Sequence, residues 1–131
     1  AIWRRFNSVI EIGLPVDSEI TELISSFIDE FHTDFLYDEK KIEKLVKLFD
    51  GKTPSDIKTI INNSKARTII NNESTLTFEN LLIELFEFNN HGELTIQRLI
   101  EYLSENNIPQ SVIAEKMKIS VRQVRNYLNK Q

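Results

Sequence analysis

The chain has 131 residues, 40% of them hydrophobic, a net charge of −4 and no cysteine. That length fits one ordinary domain or two small ones. The missing cysteine excludes a disulfide framework and cysteine-ligated metal, and it favours a reducing, cytoplasmic setting. No apolar run approaches the roughly 20 residues that span a bilayer, and no signal peptide is visible, so no membrane partner is expected.

Three glycines and three prolines punctuate the chain. Ala1 stands inside what reads as an element already under way, which suggests a piece excised from a longer protein. Ser8–Ile12 reads as a short strand closed by Gly13 and Pro15. With no obvious partner strand, it is expected to be reorganised or paired between chains. Ile20, Leu23, Ile24, Phe27, Ile28 and Phe31 then recur at helical spacing, with Asp17 or Ser18 as cap. A second helix is expected from about Asp38 to Phe49. A third has a strong start signal, with Thr53 as N-cap, Pro54 at the first helical position and Asp56 in the first turn. It runs through Ile57, Ile60 and Ile61 and past Ala66 towards Ile70. Asn71–Thr75 reads as a loop, and a fourth helix opens at Thr77 through Phe78, Leu81, Leu82, Leu85 and Phe86. Asn89-Asn90-His91-Gly92 is the expected linker. Three shorter helices follow near Leu94–Ser104, Pro109–Met117 and Ser120–Asn129.

Charge changes sign at the same linker. Residues 1–93 carry 10 Lys/Arg against 17 Asp/Glu, whereas residues 94–131 carry Arg98, Lys116, Lys118, Arg122, Arg125 and Lys130 against Glu101, Glu105 and Glu115. A basic tail after an acidic body suggests a second unit facing an anionic partner.

Gly51-Lys52-Thr53 looks at first like a phosphate-binding loop. Such a loop needs a glycine five residues earlier and a preceding strand; that position is Val46, inside an amphipathic helix. The match is a decoy. His32 and His91 stand without ligand or nucleophile spacing, and Trp3 and the phenylalanines fall at core periods, so neither a metal site nor a complete catalytic set is expected.

Ile2-Trp3-Arg4-Arg5-Phe6, a strand and Gly13-Leu14-Pro15, followed by two amphipathic helices and Gly51-Lys52-Thr53-Pro54-Ser55-Asp56-Ile57, form an ordered series. The series resembles the end of the large domain and the helical lid of AAA+ ATPases. That resemblance implies a remnant of the large domain over 1–15 and a lid over 16–90. It makes Arg4 and Arg5 arginine fingers, donated to a neighbouring subunit of a homo-oligomeric ring. Arginine suits that role because its planar, permanently charged fork matches phosphate oxygens. Gly51, Thr53, Pro54, Ser55 and Asp56 would lie against the nucleotide, ATP with Mg in the full-length protein. The family often has Gly-Ala or Gly-Ser where this chain has Pro54-Ser55, and Pro54 removes one backbone donor. No sensor-type arginine opens the helix; Lys58 and Lys65 stand nearest. Taken alone, the chain lacks the phosphate-binding loop and should be inactive.

Residues 93–131 resemble a three-helix helix-turn-helix domain. Ala114 sits where the two helices cross closely, while Ile113, Met117, Ile119, Val124 and Tyr127 take core positions. Lys118 occupies the turn position usual for glycine and has to adopt a left-handed or otherwise strained backbone. In such domains the second helix enters the major groove. That makes Arg122, Gln123, Arg125 and Asn126 base-edge candidates, with Lys118 and the cap residue Ser120 beside them. Lys116, Lys118 and Lys130 would meet phosphates. The whole is expected to be all-α, a lid bundle with a short N-terminal strand remnant plus the three-helix tail. Two other readings stay open: a helical DNA-binding regulator without ATPase activity, and a protein-interaction adaptor.

Overall fold

In the computed structural model, the structure describes residues 14–90 and 95–129. The expected strand Ser8–Ile12, the arginines Arg4 and Arg5, Trp3, His91 and Lys130 lie outside the described residues. The protein is all-α, with seven helices among the described residues. They are α1 (Asp17–Ile28), α2 (Glu39–Phe49), α3 (Pro54–Ile70), α4 (Phe78–Asn90), α5 (Ile96–Glu105), α6 (Gln110–Met117) and α7 (Val121–Asn129). No described helix is long and apolar enough to cross a membrane.

The chain divides into two compact units, Ala1–Phe78 and Glu79–Gln131. The division falls at the start of α4, ahead of the Asn89–Gly92 segment read as a linker. Asn89 and Asn90 themselves close α4.

In the first unit α1 packs against α2 and α3. Ile20, Ile24 and Ile28 bury completely, one turn apart on one face of α1. Each such side chain contributes about 1.5–3 kcal/mol on leaving water. Leu23, Phe27 and Phe31 from the same periodic stripe are only half-buried, and Phe31 lies beyond the helix end. The helix also starts differently from the sequence reading. Asp17 is its first helical residue, so neither Asp17 nor Ser18 is the cap. The residue before it, Val16, has no side-chain acceptor, and the Glu19 carboxylate accepts the Val16 N–H instead at 2.9 Å. At the other end Asp29 takes φ 58° and ψ −123°, closing a turn in which the Phe31 N–H donates to the Ile28 carbonyl at 3.0 Å. Lys65 of α3 reaches that end, donating to the Phe27 carbonyl at 2.7 Å with its ammonium 5.8 Å from the Phe31 ring centre.

Asp38 caps α2 by accepting from the Lys40 and Lys41 amides. Along α3 the buried face runs Ile57, Ile60, Ile61, then Ser64 and Thr68, so its second half is lined by hydroxyls rather than isoleucines. Both hydroxyls donate to the carbonyl four residues back. Ile69 and Ile70 face out, 64% and 77% exposed, because helical rotation turns them away from that face. The segment between α1 and α2 pairs with the segment before α4. Leu76 donates to His32 O at 2.8 Å, Asp34 donates to Leu76 O at 3.3 Å, and Thr33 and Leu76 form an isolated parallel bridge. Asp34 also accepts the Phe78 N–H at 2.9 Å and pairs with Lys41 at 3.6 Å. The first amide of α4 is thus satisfied by a residue more than forty positions earlier.

In the second unit α4 is buried from Asn80 to Phe86 on every side. α5 packs against α6 and α7, which also pack on each other. Leu99, Ile100, Leu103, Ile108, Ile113 and Val124 form this core, and Tyr102 lies against Phe86 with ring centres 5.0 Å apart.

Three helices end in one hydrogen-bond pattern. After α3, Glu73 N–H bonds Thr68 O and Asn72 N–H bonds Ile69 O; after α5, Ile108 bonds Leu103 and Asn107 bonds Ser104; after α6, Ile119 bonds Ala114 and Lys118 bonds Glu115. This Schellman closure requires one left-handed residue. Asn72, Asn107 and Lys118 supply it at φ 57°, 65° and 59°. Asparagine tolerates that region well; lysine does so at a cost.

Candidate nucleic-acid interface

The sequence singles out two groups of residues that the structure describes, and their local geometry differs. At the start of α3 Gly51 turns the chain at φ 85°. Thr53 Oγ1 accepts the Asp56 N–H at 3.1 Å, while Asp56 Oδ2 accepts the Thr53 N–H at 3.4 Å. Ile57 N–H closes on Thr53 O at 3.0 Å, and Pro54, which is buried, has no N–H to offer. Ser55 is exposed. Thr53, Pro54 and Asp56 are therefore engaged as a complete capping box. The outer surface of this helix start carries a carboxylate, which weakens the usual attraction of a helix N-terminus for anions. Lys65 is occupied at the end of α1, while Lys58 is exposed.

The second group lies on α6, the turn and α7. Ala114 is 5% exposed at the contact between the two helices, and Ile113 and Val124 are fully buried. Met117, Ile119 and Tyr127, expected in the core, are half-buried instead. Lys118, at φ 59° and ψ 43°, adopts the left-handed backbone its position requires, and its side chain is exposed.

Ser120 caps α7 by accepting the Gln123 N–H at 3.0 Å, and Gln123 Oε1 accepts the Ser120 N–H at 2.9 Å. Gln123, read from the sequence as a base-edge reader, is thus held back over the helix start. Val124 is the one fully buried side chain of α7, with Tyr127 and Leu128 half-buried. At roughly 100° per residue these three define one narrow face, and Arg122, Arg125, Asn126 and Asn129 define the opposite one. All four are exposed. Asn129 was not among the sequence candidates; its spacing of seven from Arg122 is the signal that places it on this stripe. α7 has no acidic residue, so with Lys118 before it the exposed face is uniformly cationic or neutral.

The orientation of α7 is fixed from α5. Gln97 donates to the Tyr127 carbonyl at 2.7 Å and to Glu101 at 3.0 Å, tying the last turn of α7 to the first turn of α5. Thr95 caps α5 through the Arg98 N–H. The arrangement can do one thing chemically: present a rigid, narrow helix bearing guanidinium and carboxamide groups to an anionic, hydrogen-bonding surface. Among the described residues no group of three or more His, Cys, Asp or Glu is placed to hold a metal ion. His32 is engaged locally, its Nδ1 lying 3.0 Å from Thr75 Oγ1.

Compared with known proteins, the chain matches no family model, no curated protein and no solved structure.

Proposed function

We propose that this chain is the helical lid and DNA-binding tail of an AAA+ ATPase, with α6 and α7 acting as a helix-turn-helix on duplex DNA. The observation that carries the DNA half is the exposed face of α7, where Arg122, Arg125, Asn126 and Asn129 share one stripe opposite Val124. A helix anchored by one buried residue leaves enough surface to enter a groove about 12 Å wide. Guanidinium and carboxamide groups are the ones that pair with guanine and adenine edges. The ATPase half rests on the ordered series from Arg4-Arg5-Phe6 to Gly51–Ile57. In the intact ring Arg5→Ala would lower hydrolysis while leaving ATP binding nearly unchanged.

The test for the tail is titration of the chain against duplex DNA across a salt series. Binding whose logarithm falls linearly with the logarithm of salt is expected. Replacing Arg122 and Arg125 together by alanine should weaken binding, and each residue that neutralises a phosphate should remove about 0.9 from the slope. No binding at low salt, where counterion release is largest, would sink the DNA reading and favour the protein-interaction adaptor.

One observation supports a second reading. The self-contained cap at the start of α3 leaves less for a nucleotide to bond, as expected of a helical DNA-binding regulator without ATPase activity. Reading the gene upstream of Ala1 separates the two, since an ATPase requires a phosphate-binding loop and an acidic metal-binding strand there.

A further inference from the structure

Val121 has no role in the functions argued so far. It is the first residue of α7, β-branched and apolar, yet 37% exposed. It stands at the edge of the buried face, about 60° round the axis from Val124, and the cap belongs to Ser120 and Gln123. Its exposed edge borders the cationic face. Lys118 precedes it in the left-handed turn, Arg122 follows it, and Arg125 lies one turn on, about 40° round the axis. Gln123, which would otherwise compete for a nearby base edge, is bound to Ser120.

A helix entering the major groove by its N-terminal end brings its first exposed residues to the base edges. Those edges carry one apolar group, the C5 methyl of thymine. We infer that Val121 is a specificity-determining residue that packs on a thymine methyl beside a base pair read by Arg122, and that Gln123 serves as cap instead of reader. This rests on the reading of α7 as a helix that binds duplex DNA, and it adds a sequence preference to it.

The experiment first selects a bound duplex from a randomised library with the full chain. Each thymine of that duplex is then replaced singly by deoxyuridine, which removes the methyl and nothing else. Affinity should fall about fourfold at one position, the worth of one methyl taken from water. Val121→Ala should bind the thymine and deoxyuridine duplexes equally at that position. If no thymine responds in the unaltered chain, or if Val121→Ala discriminates as the unaltered chain does, the inference is wrong while the DNA reading stands. Failure to select or bind any duplex removes both.

Discussion

Lys118 holds the turn between α6 and α7, and its replacement tests both its backbone and its charge. Its backbone sits at φ 59° and ψ 43° so that the Ile119 and Lys118 amides can close the end of α6 on Ala114 and Glu115. For a side chain with a Cβ that conformation costs about 1–2 kcal/mol. Glycine avoids the clash, but its freer unfolded chain returns roughly 0.4–1 kcal/mol of the gain. Lys118→Gly should therefore stabilise the second unit by about 0.5–1 kcal/mol, a rise of roughly 2–5 °C in Tm for a chain of this size. Lys118→Val, with a β-branched side chain in the same conformation, should lose stability instead. Removing the charge should also weaken DNA binding equally for all sequences and lower the salt slope by about 0.9, if the ammonium neutralises one phosphate. The measurements are urea unfolding with unchanged m-value, amide exchange at buried α7 positions such as Val124, and the salt titration. A destabilised glycine variant, or a valine variant as stable as the glycine one, would refute the assignment of strain to this residue.

Ala114 is 5% exposed where α6 meets α7, so Ala114→Leu should overpack the crossing and cost about 1–3 kcal/mol, read as a lower urea midpoint. Asp29 occupies a backbone region at φ 58° and ψ −123° that favours glycine; Asp29→Gly should raise the urea midpoint, a gain of about 1 kcal/mol in unfolding free energy, and a fall would show that the carboxylate matters more than the strain. The Tyr102 hydroxyl is buried without a hydrogen-bond partner among the described residues, so Tyr102→Phe should be neutral or stabilising by up to about 1 kcal/mol. Burial also pushes the Tyr102 pKa from 10.0 up to about 12. The folded state holds that proton after the unfolded chain releases it. Its stability is therefore intact below pH 10 and declines as pH rises towards 12. An absorbance titration should show one phenol ionising late, and Tyr102→Phe should flatten the alkaline loss of stability.

Much of the fold was legible because its signals are local. Thr53-Pro54-Ser55-Asp56 encodes its own cap, and the structure shows that box closed on itself. Asp38 and Ser120 work in the same way, through amides two or three residues on. The isoleucine stripe of α1 was visible for the same reason, although only its 20, 24 and 28 positions reach the core. Hydrophobicity is a weaker guide where small polar groups substitute for aliphatic ones. Ser64 and Thr68 line the buried face of α3 while Ile69 and Ile70 point out, and hydrophobicity alone would have ranked them the other way. Within the candidate interface, Arg122, Arg125 and Asn126 were legible as exposed polar residues of the last helix. Gln123 was legible in the same way, but its bond back to Ser120 comes from tertiary-independent cap geometry that composition does not show, and Asn129, on the same stripe, was not singled out.

By itself, then, the sequence determined where the helices run, what caps α3 and α7 and that Lys118 must take a left-handed or otherwise strained backbone, since each depends on residues within one turn of the backbone. The tertiary structure decided the rest. It set which face of α7 is buried through Val124 and Gln97, how the first amide of α4 is satisfied by Asp34, and that the compact units divide at Phe78. Those outcomes depend on partners tens of residues apart, which packing brings together and no local pattern announces.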